Sequence, residues 1–241
     1  MVVYSKTDKG PVRHSNQDAF VMGELSENVV YAAVCDGMGG ANAGNIASET
    51  AARSISEYIR SSYRDGLDNY GIEKLLKNAI VSANIEVYNL SLKRKDLSGM
   101  GTTVVVTIAS KNYAVIAHVG DSRAYIADED LKQITKDHSI VQDLLESGKI
   151  SPEDAKVHPR KNVITRALGV EEMVIVDTVT IPVKEGSSVM LCTDGLTGYA
   201  DEKDILNIIK TTSQENVPQA LIDLAIAGGG GDNITVALVT A

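Results

Sequence analysis

A chain of 241 residues, 44% hydrophobic and 23% charged, carries enough apolar material for one domain with a sizeable core. Its net charge of -9 excludes a general nucleic-acid binder, a role that needs a basic surface. No apolar run approaches the roughly 20 residues that cross a bilayer, and the first residues lack the basic-then-apolar pattern of a secretion signal, so the sequence reads as cytoplasmic, with no membrane or nucleic-acid partner.

In chain order, residues 29–35 (VVYAAVC) form a short apolar run, expected as a buried strand. Residues 44–60 place Ile46, Ala47, Thr50, Ala51, Ser54, Ile55 and Tyr58 at helical spacing. Residues 72–95 repeat the pattern with Leu75, Leu76, Ala79, Ile80, Ala83 and Val87, and each stretch predicts an amphipathic helix. Three β-rich runs follow, 102–109, 113–119 and 123–127, joined by the short turns 110–112 and 120–122. Such connections are expected to join antiparallel neighbours. Residues 138–169 are polar, carry Pro152 and Pro159, and read as an insertion or lid with short helical pieces such as 140–146. Residues 174–180 and 188–192 return to strand, 201–210 and 217–227 read as helices, and 234–239 as a last strand. Antiparallel runs with paired helices argue for an α+β layered fold and against a doubly wound parallel sheet. Cys35 and Cys192 each end an apolar run and are expected as buried free thiols in a reducing compartment.

Aspartates recur at the edges of apolar strands: Asp36 in VCDGMGG, Asp121 in HVGDSR, Asp194 in CTDGLTG and Asp232 in GGDNIT, with Asp18 in NQDAF before a short apolar stretch. A single Asp-Gly is most often a plain turn. The recurrence beside glycine is different, because glycine lets backbone approach a ligand closely. Carboxylates that converge cannot all stay ionised without a counter-charge, and an all-oxygen donor set suits a hard divalent cation. The four histidines form no zinc-type pair. Two cations close together would generate a metal hydroxide at neutral pH and clamp the oxygens of an in-line displacement. Residues 228–231 are a glycine run without the Lys-Ser/Thr of a phosphate-cradling loop, so they read as a turn delivering Asp232.

With these residues in view, the chain closely resembles the bacterial branch of the metal-dependent protein phosphatases of the PP2C type. The landmarks occur in the family's order: TDKGPVRHSNQDAF (7–20), VCDGMGG (34–40), SGMGTTVV (98–105), HVGDSRAY (118–125), ITKDHS (134–139), NVITRALG (162–169), LCTDGLTGY (191–199) and GGGGDNITV (228–236). The resemblance implies a single domain over residues 1–241, a central antiparallel β-sandwich flanked by paired helices on both outer faces, with a flap at about 138–169. It implies two core Mn²⁺ or Mg²⁺ ions and a third, weaker site. Asp36 would bridge the core pair, and the Gly37 carbonyl would add an oxygen to one ion. Asp194 and Asp232 would complete the other, and Asp18 would support the cluster directly or through water. Asp121 would serve the third ion and share Asp194 with it. Asp36 and Asp194 would thus carry catalysis, and Arg13 would bind the substrate phosphate through its planar fork. The implied activity is hydrolysis of phosphoserine and phosphothreonine in phosphorylated proteins, opposing a Ser/Thr kinase of the same pathway.

Two departures stand out. Many relatives carry a histidine soon after the first metal aspartate, a candidate general acid; here those positions are Met38 and Ala41. His158 is a substitute candidate, set against the plainer reading of an exposed loop histidine. Gln17 stands where some relatives have Glu. His118 reads as a core or supporting residue and His138 as a helix cap. His14 reads as exposed, and Asn233 as either a turn residue or a partner of the metal aspartates. Alternative functions are a phosphoprotein-binding pseudophosphatase scaffold, or a pathway-specific phosphatase of an anti-sigma-type regulator.

Overall fold

A computed structural model describes residues 1–40 and 43–240. The chain opens with strands β1 (Val2–Asp8), β2 (Asp18–Ser26) and β3 (Val29–Met38), then helices α1 (Ala43–Ser62) and α2 (Asn69–Lys93). Next come β4 (Gly101–Thr102), β5 (Val104–Ala109), β6 (Tyr113–Val119), β7 (Arg123–Ala127) and β8 (Leu131–Gln133). After α3 (Ile140–Glu146) and α4 (Pro152–Val157) follow β9 (Asp177–Pro182) and β10 (Ser188–Cys192). Helices α5 (Asp194–Thr197), α6 (Glu202–Thr211) and α7 (Val217–Ala227) precede β11 (Ile234–Thr240). The strands form two antiparallel sheets, ordered β1-β11-β10-β7-β8 and β2-β3-β5-β6-β9, with β4 on β3.

The apolar runs are continuous because the central strands are covered on both faces. In β3, Val30, Ala32 and Val34 face the layer between the sheets, while Tyr31, Ala33 and Cys35 face α1 and α2. In β10, Val189 and Leu191 point inward, while Met190 and Cys192 meet α6 and α7. Ala237 and Val239 of β11 point inward as well, and Val236 and Leu238 outward. The result is the four-layer helix-sheet-sheet-helix arrangement expected from the sequence. Both cysteines are buried free thiols, Cys35 under one helical layer and Cys192 under the other.

Register brings the aspartates to one end. Asp18 opens β2 directly opposite Asp36 in β3. The start of β5 lies beside the end of β6, Val104 against Val119, so the following turn with Asp121 emerges at that same end. In the other sheet, Cys192 pairs with both Arg123 and Val236, so Asp194 and Asp232 flank the same edge.

Three local expectations need correction. The 120–122 turn does not join antiparallel neighbours, since β6 and β7 lie in different sheets. Gly120 makes this crossing: its φ is +104°, and a Cβ there would sit 2.6 Å from Thr103 Cγ2. The strand expected at 174–180 begins instead at Asp177, because Ile175 is 70% exposed and only residues 177–182 pair with β6. His138 does not cap α3; Ser139 does, accepting from Gln142 N at 3.2 Å. The excursion 138–169 is closed at its base, where Thr165 N donates to His138 O at 2.8 Å and Leu168 bridges to Thr102. Among the described residues no helix is long and apolar enough to cross a membrane.

Candidate active site

Asp18, Asp36, Asp121, Asp194 and Asp232 gather at the aspartate end of the sandwich, each delivered by a different piece of chain. Asp36 lies within β3 rather than in a turn, and its carbonyl accepts from Thr103 N and the Thr102 hydroxyl, both at 2.8 Å. Its own N–H donates to Thr103 Oγ1 at 3.0 Å, and that hydroxyl lies 2.7 Å from Ser122 Oγ. Hydroxyls therefore link the backbone of Asp36 to the residue following Asp121. Gly37 N donates to Gln17 O at 3.0 Å, and α1 presses on this point so closely that a Cβ on Gly37 would collide with Gly44 O. Asp194 is the first residue of α5, and Asp232 sits in the loop before β11.

The site is electrostatically loaded. Burial pushes the Asp18 carboxyl up to about 7, against the pull of hydrogen bonds from Thr235 and Thr193, with Asp194 and Asp232 adding repulsion. Asp36 lies well above the usual carboxylate range, first through burial and then through Asp18, Asp194, Asp121 and Asp232. Burial and the charges of Asp194 and Asp137 bring Asp121 to about 7. Asp194 is raised by burial and Asp232, against Arg123, the Asp36 carboxyl and Arg13. Two buried carboxylate oxygens, Asp18 Oδ1 and Asp194 Oδ1, have no hydrogen-bond partner among the described residues. Buried acceptors are ordinarily satisfied. A site whose acids repel one another, whose oxygens lack partners and whose donors are all oxygen fits divalent cations such as Mn²⁺ or Mg²⁺.

Arg13 stands at the rim. Its Nη2 is 2.7 Å from Asp232 Oδ2 and its Nε donates to Gly231 O at 3.3 Å, with the side chain half exposed. Asn233, left open by the sequence, is buried and ties the Arg13 loop down. It accepts from Gln17 N at 2.8 Å and donates to Lys9 O at 2.9 Å and Ser15 O at 3.0 Å. Sequence reasoning gave no role to Thr193, Thr235, Thr103 or Ser122. Their one signal is adjacency, since Thr193 and Ser122 each border a site aspartate in sequence.

The histidines stay apart from this chemistry. His14 is exposed, and His158 Nδ1 accepts only from Arg160 N, at 3.1 Å, among the described residues. Met38 is half-buried beside Gly101, while Ala41 lies outside the described residues. His118, His138 and Asp177 have candidate ligand atoms within 4.8 Å of one another. Their geometry does not suit a cation: the imidazoles stack at 4.6 Å and 22°, so their in-plane lone pairs do not converge. Arg166 Nη1 already supplies positive charge 3.0 Å from Asp177 Oδ1. Burial lowers the pKa of both histidines. His138 Nδ1 accepts from Gly120 N at 3.1 Å, so the cluster braces the crossing turn that carries Asp121.

Comparison with known proteins agrees with this architecture. Residues 12–223 match the protein phosphatase 2C family. The chain is 43% identical over 237 residues to the serine/threonine phosphatase stp of Listeria monocytogenes serotype 4b, covering 97% of this chain and 93% of that protein. The crystal structure of serine/threonine phosphatase Stp1 from Staphylococcus aureus superposes with a TM-score of 0.92 at 32% identity, over 99% of this chain and 94% of that one. The catalytic domain of the protein phosphatase PstP, solved in complex with two manganese ions, gives a TM-score of 0.84 at 30% identity, over 98% and 96% of the two chains.

Proposed function

The chain belongs to the protein phosphatase 2C family and is a serine/threonine phosphatase, and from that premise we propose that it hydrolyses phosphoserine and phosphothreonine on proteins at the aspartate end of its sandwich. The observation that carries this reading is the convergence of mutually repelling carboxylates, Asp18 buried and the others half-buried, with two oxygens unpartnered among the described residues. Bound divalent cations supply Lewis acidity there, lowering the pKa of water toward neutrality and offsetting phosphate charge.

In this reading Asp36, the Gly37 carbonyl, Asp194 and Asp232 would hold the core Mn²⁺ or Mg²⁺ ions, with Asp36 common to them. Asp18 would support that set, and Asp121 together with Asp194 would hold a further, weaker ion. Arg13 receives the phosphate: its Nη1 makes no hydrogen bond among the described residues, and Asp232 orients the rest of the fork. Asn233 fixes the loop from which Arg13 reaches. The chain is one phosphatase domain with residues 138–169 as a flap. It works in the cytoplasm on phosphorylated proteins, opposite a serine/threonine kinase of the same pathway.

The test is metal-stripped protein assayed on a phosphothreonine peptide while Mn²⁺ is titrated back. Activity should return with metal and stay absent in Asp36→Asn, whose neutral amide is a poor ligand. Wild-type turnover by a correctly folded Asp36→Asn protein would sink the assignment. No activity at any metal concentration would favour a phosphoprotein-binding scaffold.

A further inference from the structure

The hydrogen bonds around Asp18 run in one direction, and the atoms themselves fix that direction. Asp18 N donates to Asn16 Oδ1 at 3.1 Å, which settles the orientation of the Asn16 amide. Its Nδ2 therefore faces outward and donates to Thr7 Oγ1 at 2.9 Å. Thr235 directs its single hydroxyl proton to Asp18 Oδ2 at 2.7 Å. In the 2.7 Å contact between Thr7 and Thr235 the donor must then be Thr7. A second branch ends on the same oxygen: Thr235 N donates to Thr193 Oγ1 at 3.0 Å, and Thr193 Oγ1 donates to Asp18 Oδ2 at 2.9 Å.

Both branches thus end on Asp18 Oδ2, which accepts from the Thr235 and Thr193 hydroxyls. The other oxygen, Oδ1, is buried and receives no hydrogen bond from the described residues. The array also ties the two sheets together at the site. Thr7 and Thr235 are register partners in β1 and β11, Thr193 follows β10, and Asp18 opens β2 of the opposite sheet. Thr193 and Thr235 are fully buried, so neither hydroxyl has water as an alternative partner.

We propose that Asn16, Thr7, Thr235 and Thr193 are positioning residues of the metal centre. They saturate Oδ2 of Asp18, lock the carboxylate's rotation, and leave Oδ1 as the only oxygen of Asp18 presented to the cations. The inference rests on the phosphatase reading above, since it assigns Asp18 to the cation cluster. It adds that the two oxygens of this carboxylate are not interchangeable, and that hydroxyls distant from substrate set metal affinity. In the simpler alternative, the hydroxyls only satisfy one another in the buried sheet end and contribute to stability alone.

Calorimetric titration of metal-free protein with Mn²⁺ separates these accounts without any activity assay. Thr235→Val and Thr193→Val keep side-chain volume and remove the donor. Each should weaken Mn²⁺ binding by about 10-fold or more, within the ~10–100-fold typical of losing a ligand's hydrogen-bond partner. Thr235→Ser keeps the donor and should bind close to wild type. Thr7→Val, at the outer end, should show a smaller loss and supplies the same comparison should Thr235→Val fail to fold. The inference is overturned if the valine variants, folded by circular dichroism, bind Mn²⁺ with wild-type affinity while only their metal-free melting temperatures fall. A wild-type protein that takes up no Mn²⁺ would instead bring down the metal reading itself, whatever the variants do.

Discussion

Asn233 offers a quantitative test of how the Arg13 loop is held. Replacing it with alanine removes three hydrogen bonds, to Gln17 N, Lys9 O and Ser15 O. A net contribution of about 1 kcal/mol each sets a gross loss near 3 kcal/mol. Lys9 and Ser15 are exposed, so water can take over their carbonyls, and about 2 kcal/mol is the expected destabilisation. In a chain of this size that corresponds to a fall of roughly 4–8 °C in melting temperature. Asn233→Asp is a sharper probe. It keeps an acceptor for Gln17 N but turns the donor side into an oxygen facing two carbonyls, beside an acidic cluster. It should therefore be worse than alanine despite its closer shape. Because the loop carries Arg13, KM for a phosphothreonine peptide should rise in both variants by more than kcat falls. Thermal melting together with steady-state kinetics on one preparation gives both quantities. An unchanged KM in a variant whose melting temperature has dropped would refute the link between Asn233 and phosphate binding.

Other consequences can be checked alongside. Asp121→Asn should spare two strong Mn²⁺ sites in calorimetry and remove a weaker one; loss of strong binding would show that Asp121 is misassigned. The carboxyls of Asp18 and Asp121, raised to about 7 from the ordinary value near 4, bind protons more tightly in the folded state. Their protonation therefore stabilises the metal-free fold at low pH, and that contribution is lost as pH rises from about 4 through about 7. The gap in melting temperature between Mn²⁺-loaded and EDTA-treated protein should accordingly widen from pH 5.5 to pH 8, and a pH-independent gap would contradict the cluster electrostatics. Gly120→Ala, forced into positive φ with its Cβ against Thr103, should cost about 1–3 kcal/mol in urea unfolding.

What the sequence revealed followed from how the elements are buried. Strands β3, β10 and β11 are covered on both faces, so each reads as an unbroken apolar run with clear ends. The long amphipathic helices α1 and α2 announced themselves by periodicity. Strand β1 did not, since VVYSKTD lies at a sheet edge, half exposed and mixed in character. Residues 174–176 misled because an apolar tripeptide can lie over a helical layer without pairing. The 120–122 turn misled because a short connection says nothing about which sheet the next strand joins. In the site, each aspartate was visible through its glycine or its motif. The threonines were not, since in strand-rich sequence a threonine reads as an ordinary β-former, and only coordinates reveal where its hydroxyl points.

The placement of β11 bears on how the protein is made. Strand β11 is not at an edge: it lies between β1 and β10, so β1 has no sheet partner until residues 234–240 arrive. During synthesis the half-sandwich of β2, β3, β5, β6 and β9 can pair beneath α1 and α2, while β1 waits with an open ladder. Asp232 and Thr235 enter with that same closing strand. The nascent chain therefore gains its completed acidic cluster at the moment its second sheet closes, and a ribosome-bound chain lacking β11 would be half-folded.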